Sequence, residues 1–149
     1  MKATALLDSN ILIATLAEAH EHHPPSVALF SEAEAQPFAV AAHSYAEAFA
    51  ILTHPAPGAP FRWTATEAWA GLESIAAVTR LVGLSHAQTF DAVRRYAAAG
   101  GVGPRLYDLL IGEAAVQAGI GCIVTWNVRH MAGLFAELEV VDPIQYASR

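Results

Sequence analysis

Apolar residues arrive in short unbroken runs, and between them lie segments whose apolar positions recur every three or four residues. Ala3-Thr-Ala-Leu-Leu7 is uncharged, ends on Asp8 and reads as a short buried strand. The following SNILIATLAEAH places Ile11, Leu12, Leu16 and Ala19 at helical spacing and predicts a helix that frays across the polar stretch 20–25. Pro24-Pro25-Ser26 lead into Val27, Leu29, Phe30 and Ala33, a second helix with proline in its first turn. Pro37–Ala41 is a second strand, and His43–His54 a helix whose apolar side holds Tyr45, Phe49, Ile51 and Leu52. The prolines of PAPGAP at 55–60 stop it.

Thr64-x-x-Glu67 is a capping-box pattern for a helix to about Ala76, and Val78–Val82 is a weaker strand candidate. Ser85 or a neighbour caps a helix through about Ala98, and Gly100–Pro104 breaks it. Leu106–Ala118 is helical with Gly119 at C′; Gly121–Thr125 and Glu139–Val141 are the last strands. Short, continuously apolar strands alternating with helices predict an α/β fold: a short, mostly parallel sheet of about four or five strands with helices on both faces. In such sheets ligands sit beyond the carboxyl ends of the strands, where strand order reverses.

Composition narrows this to one ordered domain over residues 1–149. Apolar residues make up 54% and charged residues 15%, with mean hydropathy +0.35, which excludes disorder. No run approaches the roughly 18 apolar residues of a membrane span, and the N-terminus reaches Asp8 too soon for a secretory signal. The single cysteine, Cys122, excludes an internal disulfide, and a cytoplasmic location is expected. The net charge of −6 argues against simple phosphate-backbone binding, and the acidity is mostly N-terminal: six acids against Lys2 in residues 1–60, eight against seven arginines in 61–149.

The chemistry concentrates at the strand ends. Asp8 follows the first strand directly, and Asn127 lies two residues past Thr125. Glu47 sits among alanines one turn into its helix, and Asp108 opens the helix after the Gly-rich break. Acids in apolar surroundings need partners, and only Arg105 is near along the sequence. Convergence of Asp8, Glu47 and Asp108 on a hard divalent cation, Mg²⁺ or Mn²⁺, would supply one. Taken singly, Asp8 also reads as a helix cap, Asp108 as a helix-start charge and Glu47 as a solvated residue.

Four stretches in order, LLDSNILIA at 6–14, SYAEAFAILTHPAPG at 44–58, GPRLYDLLIGEAAVQAG at 103–119 and CIVTWNVRHM at 122–131, resemble PIN-domain nucleases, and more narrowly the VapC-type toxins of bacterial toxin–antitoxin pairs. The resemblance implies a single PIN-like domain and metal-dependent endonucleolytic cleavage of RNA, leaving 5′-phosphate and 3′-hydroxyl ends. It places the family's acids on Asp8, Glu47 and Asp108, and its fourth site position, often Asp, on Asn127. An amide there brings no charge and weakens a second-metal site. Ser9, Asn10 and Thr125 match positions that orient the acids. The implied partners are a cognate antitoxin, an RNA substrate and a second copy of the chain.

Arg129 and Arg105 are the arginines nearest the site in sequence, with Arg62, Arg94 and Arg95 as further cations. Paired Arg94 and Arg95 also read as an ordinary exposed helix face. Trp126, beside Asn127, is the tryptophan placed to stack on a base; Trp63 and Trp69 read as packing residues. His20, His22 and His23 suggest a transition-metal site, but no second cluster completes one, and a solvated loop is expected. Phe49, Leu52, Trp69 and Leu72 are candidates for an exposed apolar surface serving dimerisation or antitoxin capture. Two other function classes stand beside the nuclease: a catalytically weak PIN domain that binds RNA or protein, favoured by Asn127, and a haloacid-dehalogenase-type phosphatase, disfavoured because position 10 is Asn.

Overall fold

The computed structural model describes residues 3–31 and 37–149. The strands β1 (Ala5–Leu7), β2 (Phe38–Ala41), β3 (Arg80–Val82), β4 (Cys122–Val124) and β5 (Glu139–Val141) form one sheet in the order β3-β2-β1-β4-β5. Every pairing is parallel, with Leu6 opposite both Ala39 and Ile123. Helices α1 (Ser9–Leu16), α2 (His23–Phe30), α3 (Ala42–Leu52), α4 (Ala65–Ala76), α5 (His86–Ala98), α6 (Arg105–Gln117), α7 (Val128–Met131) and α8 (Pro143–Ala147) fill the connections.

Strand periodicity divides the core into two faces. Leu7, Phe38, Val40 and Val124 pack with Ile11 and Leu12 of α1, Leu52 of α3 and Leu72 of α4. Leu6, Ala39 and Ile123 face the other way, against Ile111, Ala114 and Ala115 of α6 and Met131 of α7. Because both faces are covered, the three central strands are apolar at every position, which is why alternation is invisible in their sequences. The chain steps from β1 outward to β2 and β3, then returns past β1 to β4. The reversal point lies between β1 and β4, and their carboxyl ends open onto Asp8 and Thr125.

Several local expectations change. β3 is an edge strand with Arg80 and Leu81 exposed. Two short helices join the expected set, and α8 carries its own signal: Asp142 and Gln145 form a capping box around Pro143. Ser85 and Gln88 form another at α5. Gly119 has φ +71°, and the amide of Ile120 bonds the Ala115 carbonyl across it, so the αL end of α6 is formed as expected. Ala33, placed in the second helix by periodicity, lies outside the described residues.

The expected apolar surface dissolves: Leu52 and Leu72 are fully buried and Phe49 packs against the core, leaving Trp69 exposed. Their helical spacing marked the inward stripes of α3 and α4. His20 and His22 lie, partly exposed, in the loop expected between α1 and α2, and the cluster also makes contacts of its own. His23 Nδ1 lies 2.9 Å from the Ala14 carbonyl oxygen, and the His22 ring stacks on Trp126 at 3.9 Å. Among the described residues no helix is long and apolar enough to cross a membrane.

Candidate active site

β1 is followed directly by Asp8, whose backbone N–H donates to the Val124 carbonyl (3.0 Å) and whose extended backbone makes it the N-cap of α1. Its side chain is almost fully buried at 6% exposure, a position a carboxylate tolerates only with partners. Oδ1 accepts the Ser9 N–H at 2.7 Å. Oδ2 accepts the Thr125 hydroxyl at 2.9 Å, with the Asn10 amide nitrogen at 3.4 Å.

Thr125 anchors the network. Its Oγ1 receives the Asn10 Nδ2 and Asn127 backbone donors, each at 3.0 Å. With its acceptor capacity taken by two groups that only donate, its one proton points at Asp8. Asn10 is oriented from its other end, because its Oδ1 accepts the Trp126 N–H at 3.0 Å. Five consecutive or nearly consecutive positions on two strand ends thus aim donors at each other and at one carboxylate.

Glu47 comes from the second turn of α3. Its Oε2 accepts the Ser9 hydroxyl at 3.3 Å, and its Oε1 lies 2.7 Å from His43 Nε2. That close pair has poor hydrogen-bond geometry, so both atoms are buried without a directional bond. Asp108, in the first turn of α6, lines an open cleft of about 410 Å³ with Glu47, Arg105, Tyr107 and His130. Tyr107 stacks on His43 at 5.4 Å, closing the wall between α3 and α6.

Asp8 and Asp108 resist ionisation. Burial pushes the Asp8 carboxyl above its ordinary value; the Thr125 and Ser9 hydrogen bonds oppose this, while the charges of Glu47 and Asp108 add to it. Burial also raises Asp108, against the smaller opposing charges of His130 and Arg105. With the charges of Glu47 and Asp108 both felt at Asp8, and no arginine or lysine paired to Asp8 or Glu47 among the described residues, the acids present an oxygen-only donor set short of positive charge. They are not drawn into a ready-made coordination set: among the described residues no three His, Cys, Asp or Glu side chains are close enough to hold a metal ion.

The remaining expected residues divide. Arg105 reaches the cleft; Arg129 is exposed on α7, and its neighbour His130 lines the cleft instead. Asn127 is exposed, holding the N-cap position of α7 without a side-chain cap bond. Trp126 donates its indole N–H to Ser26 Oγ (2.9 Å) and has one face covered by His22, so it clasps α2 to the β4 end. Arg94 and Arg95 are tied to Asp91, and Arg95 also to Glu113. His43, Tyr107 and His130 were not singled out from sequence, although the i,i+4 spacing of His43 and Glu47 was a usable signal.

No curated protein matches the chain significantly. Among solved structures it is similar to Mycobacterium tuberculosis VapC20, described as a sarcin–ricin loop cleaving toxin, at 14% identity and TM-score 0.67 over 91% of this chain and 98% of that one. It is also similar to a chain of Rickettsia felis VapBC2 bound to a promoter DNA fragment (14% identity, TM-score 0.62, 91% and 96% covered). A chain of FitAcB from Neisseria gonorrhoeae matches at 18% identity and TM-score 0.60, over 94% and 98%. At these identities the likeness is one of fold. The PIN domain family model, however, matches residues 5–131, a span that runs from β1 through α7 and contains Asp8, Glu47, Asp108 and Asn127, so the chain belongs to the PIN-domain family.

Proposed function

We propose that this chain is a divalent-metal-dependent endoribonuclease, the VapC-type toxin of a toxin–antitoxin pair, acting in the cytoplasm as a single domain over residues 1–149. The observation that carries this reading is a buried Asp8, held by donors at the β1 and β4 ends and sharing an electrostatic neighbourhood with Glu47 and Asp108. Oxygen-only donors and the orphaned Glu47 Oε1 fit a hard cation, Mg²⁺ or Mn²⁺, held by Asp8, Glu47 and Asp108. When bound, such a cation supplies charge that acidifies water and offsets the charge building on phosphoryl oxygens.

This chain's residues do the rest. Thr125, Ser9 and Asn10 fix the direction of the Asp8 carboxylate. Arg105, which makes no ion pair or hydrogen bond with a described residue, meets the RNA phosphate at the cleft, with Arg129 on the outer rim and Trp126 bounding the β4 side. Asn127 keeps the fourth position neutral, which favours one cation over two. Because the cleft is acidic, RNA binding as well as cleavage depends on the cation. The names of the similar structures favour an antitoxin partner and a structured RNA target; a homodimer is part of the same proposal.

Regulated expression of wild type and Asp8→Asn, with mapping of RNA ends, tests the proposal. Growth arrest and EDTA-sensitive cleavage leaving 5′-phosphates are expected from wild type alone; cleavage by the pure variant at the wild-type rate overturns it. The neutral Asn127 and the separated acids favour a second reading, a PIN domain that binds RNA or protein without cutting. Purified wild type with Mn²⁺ that binds structured RNA but leaves it intact supports that reading instead.

A further inference from the structure

Beside the acidic cleft lies a second cavity of about 360 Å³, within the roughly 300–1,000 Å³ of small-molecule sites. Arg105 lines both, so the two spaces meet across the first turn of α6. Their chemistry is opposite. The cleft carries Asp108 and Glu47; the second cavity has Leu109 and Leu134 on its walls, with Tyr96 and Arg95 from α5.

Both α5 groups are fixed in place. The Tyr96 hydroxyl donates to the Val102 carbonyl at 2.7 Å, and Gly101 lies so close to the ring that a side chain there would collide with it. The Arg95 guanidinium is held from two directions: its Nε donates to Asp91 at 2.8 Å, and its Nη1 lies 2.8 Å from Glu113 Oε1 on α6. An immobilised ring and an immobilised guanidinium lose little conformational entropy when a flat partner stacks on them. Unpaired RNA bases are recognised on such planes.

We infer that this cavity is a nucleobase subsite, which receives the base of one nucleotide flanking the scissile phosphate while Arg105 holds the phosphate between the two spaces. The inference rests on the ribonuclease reading for its substrate, but the pocket chemistry can be tested apart from cleavage. Charge selects the occupant. The sugar–phosphate chain crosses at Arg105, which lines both spaces and, although it feels the charge of Asp108, makes no ion pair within 4.0 Å with a described residue, and an uncharged base enters the apolar space behind it.

Two measurements test it. First, wild-type protein in EDTA is titrated with the four ribonucleosides and with ribose, following backbone amide resonances. At least one nucleoside is expected to shift the amides of Tyr96, Leu109 and Leu134 and to bind at least about tenfold more tightly than ribose. Shifts no larger than those with ribose overturn the inference. Second, Ala99→Trp, at an exposed position on the cavity rim, fills the space without removing a core contact.

With Mn²⁺, wild type is expected to cut an RNA carrying one abasic ribose beside the scissile bond at least about tenfold more slowly than the intact RNA, and Ala99→Trp to cut both at the slow rate. Leu134→Gln, which makes one wall polar, is expected to reduce the same discrimination and guards against a folding defect in the first variant. Equal wild-type rates on the two RNAs overturn the subsite. Nucleoside binding at these amides together with no cleavage of any RNA keeps the subsite and overturns the nuclease reading.

Discussion

The two sides of the acidic site are built differently. On the strand side, Asp8, Ser9, Asn10, Thr125, Trp126 and the Asn127 backbone are joined by five hydrogen bonds of 3.0 Å or less, and Thr125 is fully buried. On the helix side, Glu47 and Asp108 project from α3 and α6 into an open cleft, and Glu47 is held by a 3.3 Å bond from Ser9 and a poorly aligned histidine. A parallel sheet fixes its strand ends through backbone pairing to neighbours on both sides, whereas a helix-borne side chain is fixed by whatever it touches. One side is therefore set in advance, and the other is free to adjust.

The largest expected effect breaks the ordered side. Asp8→Asn keeps a good N-cap residue but removes the buried charge, and RNA cleavage is expected to fall by about 10²–10³-fold while the circular dichroism spectrum is unchanged. Thr125→Val comes next. It leaves the Asn10 and Asn127 donors without their acceptor and Asp8 without its best donor, at a cost of about 1–3 kcal/mol, read as a lower urea midpoint. Affinity for Mn²⁺ is expected to drop about 10–100-fold with it.

Asn127→Asp sharpens the comparison from the opposite direction. Position 127 is exposed at the N-terminus of α7, where a carboxylate is tolerated, so Mn²⁺ affinity is expected to rise several-fold without loss of stability. A Mn²⁺ titration followed by melting temperature measures it.

The smallest effect is on pH dependence in EDTA. The folded state raises the Asp108 pKa above 3.8, so the native protein holds that proton more tightly than the unfolded chain. Stability from this group is lost as pH rises through the raised value and stays lost at neutral pH. Asp108→Asn is therefore expected to be slightly more stable than wild type at pH 7 without metal, with the gain vanishing below pH 3.8 and reversing when Mn²⁺ is added to both.

Much of the strand side was readable in advance because its information is local. Asp8, Ser9 and Asn10 are consecutive, Thr125 and Asn127 are two apart, and each follows a run apolar enough to announce a strand. The helix side was harder. Glu47 and Asp108 could be named, but the stacking of Tyr107 on His43 depends on how α6 lies beside α3, and the entry of His130 rather than Arg129 on how α7 turns after Asn127. The stripe Phe49, Leu52, Trp69 and Leu72 shows the same limit: helical spacing identifies a face without saying whether it points inward.

By itself, then, the sequence determined the alternation of strands and helices, the capping box at Thr64, a cap at or near Ser85, the αL end at Gly119 and the acids that follow the strands. These are properties of a residue and its near neighbours, where backbone preference and apolar periodicity act. Only the tertiary structure decided that β1 lies between β2 and β4, that the Thr125 hydroxyl points at Asp8 from 117 positions away, and that Arg105 stands between an acidic cleft and an apolar cavity. Those outcomes come from packing two helical layers on one sheet, which brings distant residues together by shape and burial that no local pattern encodes.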